Sequence, residues 1–339
     1  METVQQSFLE FLGQPDVRFT IPVFQRVYSW SEQECADFWE DVNRAGEQGE
    51  QHFMGVLLHA IDPEGWQGAG TLDIIDGQQR MTTLSIVLAA LAEHLEKTGA
   101  TVDGMDGRQL RRRYLLLGDG EKAEGKLVLT FLDRYTLFAV AAGVQIPDEH
   151  ADRILANYNF FARKMEAPGF DLEQLWRGLT GLFVVSTRLT GDDQPQLVFE
   201  SLNSKGLPLT TADLVRNELM MQTSDEQRNR LYQDYWSHLE NLSLKVAGDP
   251  DATPIINAWL AQQFRSTHLK SPDEVYNVFK TCLANAFGGS FEKLLRNLLA
   301  YAERYAADKN LRIRAEAETK AWLGGKPVRS VSELKLFGD

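Results

Sequence analysis

Only two cysteines, Cys35 and Cys282, occur in the 339 residues. They are too few and too far apart for a disulfide framework or a cysteine-ligated zinc site. The six histidines form no His-x-x-x-His or His-Glu-x-x-His pair, so the helical zinc-hydrolase arrangement is missing. No Gly-x-Ser-x-Gly elbow, Walker P-loop or Gly-x-Gly-x-x-Gly turn is present either, and their absence removes three common routes to hydrolysis or phosphate binding. No apolar run approaches the ~18 residues of a membrane span. The start, Met-Glu-Thr-Val-Gln-Gln, lacks the basic-then-apolar pattern of a signal peptide. Positive charge is scarce: 35 Lys and Arg stand against 48 Asp and Glu, a net charge of −13. A broad nucleic-acid-coating surface is therefore disfavoured, though a local basic patch is not. The expectation is a soluble, acidic, cytoplasmic protein that makes no membrane contact.

What remains is ordinary globular material, 43% hydrophobic and 24% charged, in a chain long enough for a large core. The hydrophobic pattern predicts an α+β protein, a small mixed sheet followed by a mainly α-helical region. The expected boundary divides residues 1–125 from residues 126–339, with one strand, about 182–187, returning to the sheet. Val4, Phe8, Leu9 and Leu12 share one face if residues 2–12 are helical. Pro22 blocks a helix over 18–30 and fits an edge strand or extended segment. Ser31 with Glu34 forms a capping box that opens a helix through Phe38, Trp39 and Val42. Residues 53–61 and 71–75 read as a hairpin, and a glycine-rich stretch from 99 to 126 surrounds one short basic helix. From about 127 onward the periodicity is almost wholly helical, and no sustained internal repeat is found.

The chain is organised around residues 71–84, Thr-Leu-Asp-Ile-Ile-Asp-Gly-Gln-Gln-Arg-Met-Thr-Thr-Leu. A β-branched apolar run meets Asp76-Gly77, and apolar residues then recur at Leu84, Val87, Leu88, Leu91 and Leu95, the spacing of one helix face. A strand, a tight glycine turn and a helix start follow from this pattern. A helix start carries unpaired N–H groups and the positive end of a dipole, which suits an anion. Arg80, Thr82 and Thr83 add donors suited to phosphate. The alternative is a capped junction with Arg80 in a structural salt bridge. Gln25 and Arg26 form a polar pair inside an apolar segment, and such a pair needs partners if buried.

Two further stretches leave both readings open. Arg108-Gln-Leu-Arg111-Arg112-Arg113-Tyr114 is either a solvated helix face or a DNA contact, the former being the commoner case. Residues 196–217 read as a helix, an Asn203-Ser-Lys205-Gly206 stop, and a new helix with a capping box at Thr210/Asp213. Asn203 and Lys205 are functional if that turn faces residues 76–80, and neighbours of a helix stop otherwise.

Three segments together resemble one family. Ile21-Pro-x-Phe-Gln25-Arg26-x-Tyr28-x-Trp30, Asp76-Gly-Gln-Gln-Arg80-x-Thr-Thr-Leu84 and Phe199-Glu-x-Leu-Asn203-Ser-x-Gly206-x-x-Leu-x-x-x-Asp213-Leu-x-Arg216-Asn217 look like the GmrSD family of modification-dependent restriction proteins. That family includes relatives that respond to phosphorothioate-modified DNA. The resemblance implies an N-terminal region of ParB/sulfiredoxin-like fold, in which a Gly-x-x-Arg turn at a helix start holds nucleotide phosphates. It also implies NTP hydrolysis with a divalent metal, Mg2+ in the first instance, linked to action on modified DNA by an HNH-type nuclease half. This sequence stops at Asp339 without a His-rich HNH segment, so the expectation is either the N-terminal region of a longer chain or a stand-alone version, with an HNH half, if there is one, on a continuation of the chain or on a separate partner. The alternative is a non-catalytic nucleotide- or DNA-binding switch.

The resemblance also assigns roles. Gly77, Gln78 and Gln79 would offer donors to the β and γ phosphates, Arg80 would neutralise developing charge, and Thr82 and Thr83 would bind phosphate or place a metal-bound water. Asp76 would hold the metal or orient the attacking water. Arg26, with Gln25 and Tyr28, would reach the phosphates from the neighbouring loop, and Asn203 and Lys205 would close the site from the helical half. Glu200 and Asp213 are second carboxylate candidates. Arg111, Arg112 and Arg113 are the DNA-binding candidates.

Overall fold

In the computed structural model the described residues are 2–22, 25–61, 70–118, 120–190, 210–221, 223, 227, 230–264 and 272–323. The chain divides into two compact units, one comprising Met1–Pro22 with Arg26–Phe199, the other Val23–Gln25 with Glu200–Asp339.

In chain order the first unit contains β1 (Glu2–Ser7), α1 (Phe8–Leu12), β2 (Val17–Thr20), α2 (Glu32–Gln48), β3 (His52–Ile61), β4 (Gly70–Asp76) and α3 (Gln78–Thr98). It continues with α4 (Gly107–Tyr114), β5 (Leu116–Leu117), β6 (Glu124–Gly125), β7 (Leu127–Val128), α5 (Phe131–Ala142), α6 (Asp152–Glu166), α7 (Leu172–Gly181) and β8 (Leu182–Arg188). Among the described residues β1-β8-β3-β4-β2-β7 form a six-stranded mixed sheet, and β5 and β6 pair separately. β3 and β4 are antiparallel, as a hairpin requires, while β2 runs parallel to both β4 and β7. β8 lies between β1 and β3, so a strand far beyond β3 in the sequence joins the edge strand β1 to the rest of the sheet.

The first eleven residues differ from the helical expectation. Residues 2–7 are a strand paired along their length with β8, and the helix is confined to Phe8–Leu12. A single sequence window does not reveal the distant partner whose ladder bonds outweigh the local period. The capping box at Ser31/Glu34 is present.

α3 is buried on nearly every side from Met81 to Ala92. A helix that is apolar nearly all round must be enclosed; α3 packs against α4, α5 and α6 and shares one core with Leu57, Ile74 and Val184 of the sheet. This explains why the units divide near residue 199 and not at the expected 125/126. Leu137 and Val140 of α5, Ile154 and Phe161 of α6, and Leu175 and Leu179 of α7 belong to the same core as α3. Helical periodicity reports which face is buried, and here the burying partner is the N-terminal sheet unit.

The second unit is helical among its described residues: α8 (Thr211–Met221), a π-helical turn (Tyr232–Trp236), α9 (Ser237–Ala247), α10 (Thr253–Gln263), α11 (Pro272–Phe287), α12 (Phe291–Ala307) and α13 (Lys309–Leu323). Its core is built around Trp236, Trp259, Phe264 and Phe279. Among the described residues no helix is long and apolar enough to cross a membrane.

Candidate functional site

β4 ends at Asp76, and Gly77 takes a left-handed conformation, φ 97°, as the N-cap of α3. A side chain at 77 would clash: its β carbon would stand 2.2 Å from Leu57 Cδ2. Gly77 has no side chain with which to cap α3, and the first intrahelical bond is from Met81 N–H to the Gly77 carbonyl at 3.0 Å. The amides of residues 78–80 precede that bond at the positive end of a 21-residue helix.

Arg80, in this first turn, reaches sideways to β3. Nη1 donates to the Met54 carbonyl at 2.6 Å, Nη2 to the Val56 carbonyl at 2.7 Å, and Nη2 also to Asp76 Oδ2 at 3.2 Å. The two carbonyls flank Gly55, where β3 departs from regular register against β8. Burial lowers the Arg80 pKa, and the Asp76 carboxylate opposes that shift. Both sequence readings of Arg80 thus have physical content: it is a structural tie to β3, and its side chain remains partly exposed beside a half-exposed Asp76. A guanidinium has five N–H donors, and three hydrogen bonds leave capacity for an incoming acceptor.

The glutamines have a different task from the expected one. Gln78 Nε2 donates to the Arg26 carbonyl at 2.8 Å. Gln79 Oε1 accepts from Ser29 N–H at 2.8 Å and Trp30 N–H at 3.3 Å, while its Nε2 donates to the Val27 carbonyl at 3.3 Å. An amide side chain carries the donor and acceptor of a backbone unit, so Gln79 acts as a surrogate strand for residues 27–30. Other side chains complete the loop's pairing. Asp133 Oδ2 accepts from Tyr28 N–H at 2.6 Å, Arg153 Nη1 donates to the Ser29 carbonyl at 2.7 Å, and Asn157 Nδ2 donates to the Trp30 carbonyl at 2.8 Å. The side-chain amides of Gln78 and Gln79 thus bond the loop, while their backbone N–H groups stay at the start of α3.

Thr82, Thr83 and Tyr28 also turn inward. Both threonines are buried, and the Thr83 hydroxyl pairs with Tyr28 OH at 2.7 Å. Tyr28 OH further accepts from Asn157 Nδ2 at 3.1 Å, and burial raises its pKa well above 10. The Thr83 and Tyr28 hydroxyls fasten the loop to α3, and all three side chains are buried in the core. Gln25 is buried and belongs to the second unit. Arg26 is partly buried, and among the described residues its guanidinium has no hydrogen bond or ion pair, although its carbonyl is held over the first turn of α3. Of the expected phosphate-binding groups, the structure brings together the Asp76 carboxylate, the Gly77 turn, Arg80 and the backbone of Arg26. Asn203, Lys205 and Glu200 lie outside the described residues.

The N-terminal-domain model of the GmrSD restriction endonuclease family matches residues 8–220. The chain belongs to the GmrSD family. No curated protein matches it. The matched span contains the first two motifs whole and runs through the third into α8, which places this GmrSD chain among restriction-system proteins.

The third GmrSD motif ends in the second unit as a buried charge network. Thr210 and Asp213 form the expected capping box, with bonds of 3.0 and 3.2 Å. Asp213 Oδ1 also accepts from Arg216 Nη2 at 2.6 Å, and Arg216 Nη1 donates to Glu240 Oε1 at 3.0 Å. Trp236 Nε1 and Tyr232 OH, both delivered by the π-helical turn, donate to Glu240 at 3.0 Å each. Asp213 is therefore a structural carboxylate and not a second metal ligand.

The basic run separates into two kinds of residue. Arg111 is buried: its Nε and Nη2 donate to Glu96 at 3.0 and 3.3 Å, and Nη1 donates to the Val140 and Ala141 carbonyls at 2.9 and 2.7 Å. It closes the end of α5 and is withdrawn from any DNA surface. Arg112 and Arg113 are exposed on the same helix. Sequence reasoning missed the β3 carbonyls of Met54 and Val56, and the loop ties from Asp133, Arg153 and Asn157. An isolated glycine at 55 inside a strand pattern was the one local signal of the irregularity.

Proposed function

We propose that this GmrSD chain binds a nucleoside triphosphate at the start of α3 and hydrolyses it, as the nucleotidase module of a restriction system acting on modified DNA, on a first unit of ParB/sulfiredoxin type. The observation that carries the reading is the turn at Gly77, a helix start without a side-chain cap whose rim holds Asp76, Arg80 and the Arg26 loop. The backbone amides of residues 78–80 would take phosphate oxygens. The remaining N–H capacity of Arg80, with the Arg26 guanidinium, would stabilise charge developing on the γ-phosphoryl group. Asp76 would orient a water for attack on the γ phosphorus; the bond to the bridging oxygen breaks, leaving nucleoside diphosphate and phosphate.

The donor set fits Mg2+, which takes one or two carboxylates plus phosphate oxygens. Asp76 would contribute the oxygen that does not face Arg80. When bound, such an ion supplies charge neutralisation and polarises the phosphoryl group. Among the described residues no group of three or more His, Cys, Asp or Glu forms a ready cage, so the proposed ion is one held jointly with the nucleotide. Modified DNA and an HNH nuclease, on a continuation of the chain or separate, are the proposed partners.

The test is phosphate release from each NTP with Mg2+, with and without modified DNA. Arg26→Ala is the decisive variant, because among the described residues the Arg26 side chain has no partner whose loss would unfold the protein. Hydrolysis should drop at least tenfold with the melting temperature held. Absence of phosphate release under every condition sinks the reading. One observation favours the second reading, a binding switch without turnover: Arg80 already holds three protein acceptors, so an anion that draws it away would release β3 at Gly55. Calorimetric nucleotide binding without hydrolysis selects that outcome.

A further inference from the structure

The first unit has a second concavity, at the opposite end of the sheet from Gly77. Arg18 of β2 pairs with Thr71 near the start of β4, whereas Asp76 ends that strand. A cavity of about 350 Å3 opens between β6, the end strand β7 and α5, lined by Arg18, Glu124, Leu127, Arg134, Tyr135 and Phe138 among others. Ligand cavities for small molecules start at about this size.

Two guanidiniums meet in it. Arg18 is ion-paired with Glu124, whereas Arg134 is exposed and, among the described residues, has no side-chain hydrogen bond or ion pair. The two cations are close enough that Arg134, after burial, depresses the pKa of Arg18. A protein of net charge −13 thus lines this cavity with two like charges and one carboxylate, the latter paired with Arg18. An anion seated there relieves the repulsion and satisfies Arg134. Beside them Tyr135 is 59% exposed, and among the described residues its hydroxyl has no partner. Tyr135 and Phe138 are one helical turn apart on α5, so the cavity joins cations to aromatic faces.

We propose that this cavity binds a nucleoside phosphate, the phosphate held by Arg134 and Arg18 and the base lying against Tyr135 and Phe138. Guanidinium forks match phosphate oxygens, and aromatic faces accept any base. The same chemistry is offered by a free mononucleotide and by one unit of a single DNA strand. The site is independent of the one proposed at α3.

The test titrates the full chain with dTMP and with a short labelled oligothymidylate, using benzoate as an aromatic anion without phosphate. Arg134→Gln and Tyr135→Ala each lower the affinity on the order of tenfold. Both leave the melting temperature and any NTP hydrolysis unchanged, since both side chains face solvent; Arg134→Lys retains part of the binding. Arg26→Ala leaves dTMP binding intact, which separates this cavity from the α3 site. An oligonucleotide bound more tightly than dTMP identifies a strand site, and equal affinities identify a mononucleotide site. Absence of binding to both, affinities unmoved by both variants, or benzoate bound as tightly as dTMP overturns the proposal.

Discussion

The Arg80 guanidinium occupies the space that a side chain on Gly55 would need. A β carbon at residue 55 would stand 2.3 Å from Arg80 Nη1, and Gly55 itself has φ 96°. The glycine leaves β3 free to curve so that the carbonyls on either side of it, from Met54 and Val56, turn onto the arginine.

Gly55→Ala should therefore act on Arg80 through β3. Backbone strain at such a position costs of order 1–3 kcal/mol, and the added methyl also displaces the guanidinium. Thermal unfolding should show the loss of stability. If Arg80 serves hydrolysis, Gly55→Ala and Arg80→Ala should be non-additive in rate, because both remove the same placement. Additive losses would separate the strand irregularity from the site.

Gln79→Ala should destabilise the protein by about 0.5–1.5 kcal/mol for each of the partly buried loop bonds it removes. Gln79→Glu retains the acceptor for Ser29 and Trp30 but sets a carboxylate oxygen against the Val27 carbonyl. It should fall between wild type and alanine in denaturant midpoint. Amide exchange at residues 28–30 should rise in both variants. Unchanged protection there would show that the loop is held by Asp133, Arg153 and Asn157 alone.

Arg111→Ala should cost about 1–3 kcal/mol, because it leaves the buried Val140 and Ala141 carbonyls without their donor, whereas Glu96 is reached by water. Its effect belongs to stability and not to DNA binding. Arg112→Glu with Arg113→Glu should preserve the melting temperature. If α4 touches DNA, the double variant lowers affinity and flattens the dependence of log K on log salt. An unchanged slope removes α4 from the DNA surface.

His59 should make stability depend on mild acid. Its Nε2 pairs with Ser186 Oγ at 2.9 Å, and burial, aided by the Arg188 charge, lowers its pKa from 6.5 to about 4. Between these values the unfolded chain binds a proton that the folded chain does not. This contribution is fully present above pH 6.5 and is lost progressively as pH falls toward 4. Urea unfolding at pH 7, 6 and 5 should show a declining midpoint, and His59→Gln should flatten the decline over that window. An equal decline in the variant assigns the acid sensitivity to other groups.

Much of the site was legible locally. The strand, the glycine turn and the helix start at 71–84 follow from apolar period and one obligatory glycine, and the two capping boxes follow from Ser31/Glu34 and Thr210/Asp213. Those features depend on neighbours within a few residues. The tasks of Gln78, Gln79, Thr83 and Tyr28 were not legible, because their partners lie about fifty residues away and an amide or hydroxyl does not announce whether it faces a ligand or a loop.

The amino-acid sequence by itself determined the family and the place of the Asp76-Gly77-Arg80 turn, since both rest on local pattern. Tertiary structure alone decided which donors remain for a ligand. In the folded chain Gln78 and Gln79 are spent on a loop, Arg111 on Glu96 and a helix end, and Asp213 on Arg216. Arg26 keeps a side chain without a partner among the described residues. A polar side chain contributes to function only with the hydrogen-bonding capacity that folding leaves it, and that remainder depends on contacts between segments far apart in sequence.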